Sequence, residues 1–212
     1  PAQGPVKTHV WGKFDEEKAG QAKRVQEYLN YQLIEVMTEY RSETEKLLFS
    51  LPLAGSAFRK IYFDPSLGRP TSMFVPAEDF VVAYDEADLG QSERYTHVMT
   101  RSTNQIRKLQ VSGFYRDIEL VSSNIEDNPI TEKYNEIGGV SPSYEHGEKH
   151  QLLEMHVDVD LPGYEDEDGV ALPYVITIDK GSDTVLSIYR NWSEEDPHRV
   201  KKQHFVHYDY VP

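Results

Sequence analysis

The sequence predicts an α+β fold: a long and a short helix first, then mostly antiparallel β strands and hairpins with one intervening helix. Three observations predict it. Apolar residues between about 15 and 54 recur at the three-and-four spacing of a helix. Beyond residue 56 the spacing drops to two in several runs. The turns that join those runs are mostly short, which favours antiparallel neighbours.

Residues 1–13 carry Pro1, Gly4, Pro5 and Gly12 and read as an extended lead-in. The folded segment is 14–212, helical over 14–56 and β-rich over 57–212. Val25, Tyr28, Leu29, Leu33, Val36, Met37 and Tyr40 form one stripe and predict a single helix over about 16–40. Asp15 is placed to cap it, and Glu16 and Glu17 suit the positive end of its dipole. Ser42-Glu43-Thr44-Glu45 has the form of a capping box before Leu47, Leu48, Phe49 and Leu51, and Pro52 is expected to end this second helix.

Strands follow. "AFRKIYFD" meets the turn-rich "PSLGRP" and returns as "TSMFVP", a hairpin stopped by Pro76. After "AED", the apolar "FVVAY" reads as a short buried strand. "ERYTHVMTR" alternates, with Tyr95, His97 and Met99 on one face. Ser102-Thr103-Asn104-Gln105 is a second capping box; it heads a helix whose inner stripe is Ile106, Leu109 and Gln110 and whose C′ residue is Gly113. Residues 121–150 are polar and read as a long loop. "LEMHVDVDL" predicts a strand with Leu153, Met155, Val157 and Val159 inward and His156 and Asp158 outward. "ALPYVITID", "KGSD" and "TVLSIYRN" form a hairpin, and "KQHFVHYDY" is the last strand.

Composition excludes some chemistry. There is no cysteine, hence no disulfide framework, thiolate or Cys-ligated zinc, and a reducing compartment is compatible. The formal charge is −14, from 36 acids against 22 bases, which argues against a general phosphate-gripping surface. Fourteen tyrosines, against 8 Phe and 2 Trp, suit half-buried surfaces and interfaces. No stretch approaches the roughly 20 apolar residues of a membrane span.

Several clusters invite a site. Asp158, Asp160, Glu165, Asp166, Glu167 and Asp168 could offer oxygens to calcium, but the spacing fails the helix–loop–helix calcium pattern; a solvated strand face running into an acidic hairpin tip is the simpler reading. His146, His150 and His156, with Glu148 between, would converge on zinc only if a helix stacked the first two, and Gly147 opposes one. His198, His204 and His207 read as surface or interface residues. Gly138-Gly139 lacks the spacing of a phosphate cradle and leads to Pro142 rather than to a helix. The basic "HRVKKQ" at 198–203 could meet phosphates, but its bases also balance the preceding "SEEDP". No nucleophile, base and oxyanion donor can be read together, so no catalytic, cofactor or metal residue is assigned.

Three phrases together resemble the portal proteins of tailed double-stranded DNA bacteriophages, of the short-tailed-phage type. They are "YLNYQLIEVMTEYRSETEKLLFSLPLAGSAFRKIYFDPSLGRPTSMFVPAEDFVVAY", "ERYTHVMTRSTNQIRKLQVSGFYRDIEL", and "YVITIDKGSDTVLSIYRNW" running on to "HFVHYDYVP". The resemblance is closest to the outer wing of that family and weakest over 121–150. It implies a structural subunit, not an enzyme, in a ring typically of twelve copies at one capsid vertex. The implied partners are further copies of itself, the major capsid protein, the terminase and tail or adaptor proteins. Double-stranded DNA passes through the ring without sequence-specific binding. The subunit is made in the host cytoplasm and located in the virion, and both Pro1 and "HFVHYDYVP" are expected to be interior passages of a longer chain. An alternative of another class is a stand-alone acidic α+β interaction module of a different virion or tail protein.

Overall fold

The computed structural model describes residues 4–13, 15–84, 86, 88–120, 149–164 and 169–210, and its architecture is α+β. The chain divides into two compact units: Pro1–Ala77 with His204–Pro212, and Glu78–Gln203. In chain order the second is an insertion into the first.

In the first unit, helix α1 (Glu16–Tyr31) starts as expected: the Asp15 carboxylate accepts the Glu17 amide at 3.0 Å, with Glu16 and Glu17 in the first turn. The lead-in lies along it. The Asn30 side chain both accepts the Val6 amide (2.9 Å) and donates to the Val6 carbonyl (3.0 Å), and Thr8 bonds Gln26 and the Ala22 carbonyl. A methyl group on Gly4 would fall 2.2 Å from Asn30, so only glycine lets the lead-in lie this close.

The expected single helix to residue 40 is corrected. After Tyr31 the chain widens into a π-helical turn, Gln32–Val36, in which the Met37 amide bonds the Gln32 carbonyl. Met37 leaves the helical region (φ −87°, ψ 73°) and a new helix, α2 (Tyr40–Ala54), begins three residues later. The extra residue of a π turn rotates the stripe, and Met37 is buried whereas α1 buries no residue. Ser42-Glu43-Thr44-Glu45 is not a cap, because it lies inside α2. Ser42 donates to the Glu39 carbonyl instead, and Glu43 is engaged elsewhere. Nor does Pro52 end the helix. Within the last turn it costs only the donor to the Leu48 carbonyl, and Gly55, at φ 76°, makes the stop.

Strands β1 (Ser56–Asp64) and β2 (Arg69–Pro76) form the expected hairpin, and β8 (Phe205–Asp209) pairs antiparallel with the other side of β1. As the central strand, β1 is covered on both faces at its start, so Ala57, Phe58, Arg59 and Lys60 are all buried. Its two cations lie over rings: the Arg59 guanidinium is 4.9 Å from the Tyr40 centroid and donates to Thr44 (2.8 Å), and Lys60 is 4.7 Å from that of Tyr62. Helix α2 packs on β1 and β2. There Glu43 accepts the Phe74 amide at 2.7 Å, and Glu39 accepts the Ser72 amide at 3.2 Å while pairing with Arg69 at 2.8 Å. Two helical carboxylates thus occupy the ladder positions of the edge strand.

The second unit opens with β3 (Phe80–Val82) and β4 (Arg94–Ser102), continues through α3 (Thr103–Val111), and closes with β5 (Lys149–Val159), β6 (Leu172–Asp179) and β7 (Thr184–Arg190). Its sheet is an antiparallel meander, β3-β4-β5-β6-β7. The Ser102 capping box forms in full, and Gly113 (φ 77°) follows the helix. "FVVAY" is not a buried strand: β3 is the sheet edge, with Phe80 buried and Val81 and Val82 exposed. The expected loop 121–150 falls outside the described residues up to 148, but Lys149 and His150 already belong to β5.

The burial of β5 departs from the expected one: His156 is inward rather than outward, and Asp158 is half-buried like the apolar residues expected inside. His150, Leu152 and His156 are buried, while Leu153, Met155, Val157 and Val159 are half-buried. The reason is the location of the core. Helix α3 and the segment after it supply Ile106, Leu109, Phe114, Tyr115, Ile118 and Leu120 to the face that carries Met99, Leu152 and Leu186. An irregularity at Thr177/Ile178 places Leu186 opposite no partner, a bulge that lets Leu186 and Ser187 both be buried.

Removing the Glu43 acceptor tests the helix–edge contact. Glu43→Ala should cost about 1–3 kcal/mol in denaturant unfolding. It should also accelerate hydrogen exchange at the Phe74 amide selectively, and Glu43→Gln should retain most of the protection.

Candidate functional site

The polar residues of the second unit converge on the buried face of its sheet. Cross-strand register sets Tyr95 against His156, His97 against Glu154, and Arg101 against His150. It sets Leu152 against Asp179 and Glu154 against Thr177. His97, His150, His156, Thr177 and Asp179 are each no more than 3% exposed. Tyr95 stacks on His156 (centroids 4.8 Å apart) and on Phe80 (5.5 Å), and His156 Nε2 lies 3.0 Å from Glu154 Oε1. Burial pushes the Tyr95 phenol well above its ordinary pKa, and the charges of Glu154 and Asp158 add to the rise.

His150 and Asp179 form the tightest group. His150 Nδ1 is 3.4 Å from Asp179 Oδ1, and its Nε2 is 3.3 Å from Thr103 Oγ1. The second Asp179 oxygen accepts the Ser182 amide (3.0 Å) and hydroxyl (2.6 Å). Hydroxyl, imidazole and carboxylate stand in the order of a nucleophile, a base and an orienting acid. Both imidazole contacts are longer than the roughly 2.6–3.2 Å reach of a working pair. What the group does in the fold is tie four places together: the start of α3, the start of β5, the end of β6 and the β6–β7 turn. The turn had a sequence signal, since an Asp three residues before a Ser favours a side-chain-bonded turn. Nothing local marked His150 as its partner.

The basic segment is folded back. Lys201 Nζ donates to the Ser92 carbonyl (2.6 Å), lies 3.3 Å from Asp158 Oδ1, and sits 5.7 Å from the Tyr95 centroid. The Asp196 carboxylate accepts the amides of His198 and Val200, both at 3.0 Å, and these bonds hold its pKa below the usual carboxylate value. Arg199 adopts the left-handed region (φ 51°) to close this turn. The acid Asp196 is thus held by backbone amides of this segment, and the basic Lys201 meets Asp158 rather than the acids that precede it.

The remaining candidates are scattered. Asp160 is exposed beyond the end of β5, and His204 precedes β8. His207 stacks on Phe58 (4.6 Å) and meets Ser56 at 2.7 Å and Asp209 at 3.0 Å. His146, Glu148, Gly138, Gly139, Glu165, Asp166, Glu167 and Asp168 lie outside the described residues. Among the described residues no three His, Asp or Glu side chains are gathered for a metal ion, and no helix is long and apolar enough to cross a membrane.

Two rows of the opposite sheet face are largely apolar, between rows that carry Arg94 and Arg190 on one side and Thr100 and Gln151 on the other. One row crosses four strands, Thr96–Met155–Ile176–Ile188, and another runs Val98–Leu153–Ile178–Val185. Every one of these residues is half-buried or exposed. Sequence reasoning missed this surface because it assigned the apolar face to the interior. Compared with protein-family models and with curated proteins, the chain matches none.

Asp179→Ala strands the buried His150 and frees the half-buried Ser182 of the turn, and should destabilise the second unit by about 3 kcal/mol. Thr103→Val should cost less than about 1 kcal/mol. The fluorescence of the buried Trp192 during urea unfolding reads both. Asp196 gives a pH dependence. Its pKa is lowered by folding, so its contribution is present above the ordinary carboxylate pKa and lost as pH falls through the lower, folded value. The amide resonances of His198 and Val200 should move together in that acid range and stay still in Asp196→Ala.

Proposed function

We propose that the chain is a structural component of a virion: a wing-like segment of the portal ring through which a tailed double-stranded DNA phage packages and ejects its genome. The observation that carries this reading is how the portal-like phrases fall on the fold. The first runs from within α1 to just past β3, the second takes in β4, α3 and the segment after it, and the third covers β6, β7 and β8. A likeness spread over many elements in chain order, although it passes over β5, is one of architecture rather than of a site.

The half-open apolar sheet face supports a scaffold working through contact, because such patches mark surfaces that meet a partner. On this reading the partners are further copies in a ring of about twelve, as the resemblance implies, together with the major capsid protein, the terminase and tail or adaptor proteins. DNA passes without base-specific contact, and a charge of −14 suits a wall that must not grip phosphates. The subunit is made in the host cytoplasm and resides at the portal vertex, with neither catalysis nor cofactor. The same apolar face favours one other reading, a stand-alone acidic α+β interaction module of another virion or tail protein.

Immunogold labelling of tailed particles, with antibodies raised against the chain, separates the two. The portal reading expects label at a single vertex and, for the protein expressed in its complete reading frame, rings with a central channel by electron microscopy. Label along the tail, or monomers at every salt concentration, overturns it.

A further inference from the structure

We infer that the open face of the second unit's sheet is a docking site for an acidic amphipathic helix of a different protein. The inference rests on the reading of that face as a contact surface and gives the chemistry of the partner.

The sheet is covered on one side. Helix α3 and the segment after it pack on the face of Met99, Leu152 and Leu186, and a sheet with a second apolar face has room for a second layer. The row that runs from Thr96 to Ile188 gains Val81 of β3, which stands opposite Thr96, and so crosses all five strands. Val81 and Ile188, at its two ends, are 56% and 47% exposed. Five strands at about 4.8 Å give a strip roughly 19 Å long, and the second apolar row adds about 7 Å to its width. A helix of about 13 residues has that length, and its diameter of roughly 10 Å covers both rows. The strip ends on one side where Trp192 packs edge-on against Tyr174, 5.3 Å between centroids, and covers the next row.

Charge selects the occupant. Alternation along β4, β5, β6 and β7 sorts their ionisable residues by face. The covered side has Glu154, Asp158 and Asp179 against Arg101, whereas the open side of these strands has Arg94, Lys149 and Arg190 and no acid. All three cations are exposed, so an apolar strip with a basic rim stands on a chain whose formal charge is −14. Arg94 and Arg190 end one row, three strand spacings or about 14 Å apart. The Arg190 guanidinium lies 5.8 Å from the Trp192 centroid, and its contact with Glu194 is a long one of 3.9 Å between side chains more than half exposed, which contributes little. A helix whose apolar stripe is flanked by carboxylates two to three turns apart meets both arginines as it covers the strip. The helices of this chain do not fit that description. Helix α1 has Glu16, Glu17 and Glu27 against Lys18, Lys23 and Arg24, α2 has two acids against two bases, and α3 has only Arg107 and Lys108. The acidic helix therefore belongs to another protein.

Two synthetic helical peptides test this against the whole chain. They share one stripe of leucines and carry glutamates or lysines on its flanks. Expected is saturable binding of the glutamate peptide, at least about tenfold tighter than the lysine peptide at low salt, with the methyl resonances of Met155, Ile176 and Ile188 shifting together. Ile188→Asp alters an exposed edge position and should weaken that binding by about 30-fold. Arg94→Glu combined with Arg190→Glu leaves the strip intact and should reverse the preference between the peptides. Failure of both peptides to bind at millimolar concentration, or equal binding of the two, overturns the proposal. So does self-association of the chain that Ile188→Asp abolishes, since a second copy would then be the occupant. Label at the portal vertex without glutamate-peptide binding removes this site and spares the ring reading. Binding that Ile188→Asp abolishes, with label away from the vertex, upholds the site and removes that reading.

Discussion

The first unit depends on an agreement between two repeats. Alternate residues of an antiparallel edge strand present their amides on the same side, about 6.8 Å apart. Residues four apart on a helix are separated by about 6 Å along its axis. Glu39 and Glu43 exploit this near-equality, one helical turn meeting the Ser72 and Phe74 amides. The helix therefore stands where a further strand would, and the edge of β2 is closed to other chains there. This also explains the course of the chain before it. For Glu39 to lead α2 toward the sheet edge, α1 has to stop, and the π turn with its exit at Met37 makes the stop.

The second unit shows the opposite economy. Its sheet buries a face on which His150, His156 and Asp179 stand beside Met99, Leu152 and Leu186, and leaves apolar rows of the other face half open. Buried polar groups are tolerable when they bond to one another, as Asp179 does with Ser182 and Lys201 with the Ser92 carbonyl. Such groups also specify register, since a slip of one residue would carry His150 and His156 to the other face and away from Asp179 and Tyr95. The apolar face then remains for contact, and the fold keeps its own cohesion independent of whatever covers that face.

Much of the fold was legible in the sequence because its signals are local. The Ser102 capping box, the stop at Pro76, the two hairpins and the period of two in β4, β5 and β6 each arise from neighbouring residues. What was not legible is decided at a distance. Alternation in "LEMHVDVDL" fixes which residues share a face, but α3 and the bulge at Leu186 decide which face is interior. Glu43 belongs to a good local capping pattern, yet it serves a strand 31 residues away. The His150–Asp179–Thr103 group draws on three separate elements and has no compact motif. The acidic run was visible as composition, but only Asp158 gained a described partner, Lys201.

The insertion of one unit within the other has a consequence for how the chain comes to be folded. Strand β8 pairs with β1 across a separation of 151 residues between Ser56 and His207. During synthesis at 5–20 residues per second, the partner strand emerges roughly ten seconds after the hairpin it must join. In that interval the β8 side of β1, with Phe58 and Arg59, waits without its neighbour. Closing so long a loop is slow if the intervening chain is unfolded, and each halving of its effective length recovers about 0.6 kcal/mol. The meander between β3 and β7 consists of pairings nearer in sequence, and the segment after β7 folds back on it, Lys201 bonding the Ser92 carbonyl, so that Glu78–Gln203 is one compact unit. The inserted unit thus acts as an internal clasp in biosynthesis: the host sheet is completed last, by a strand delivered to it already tethered.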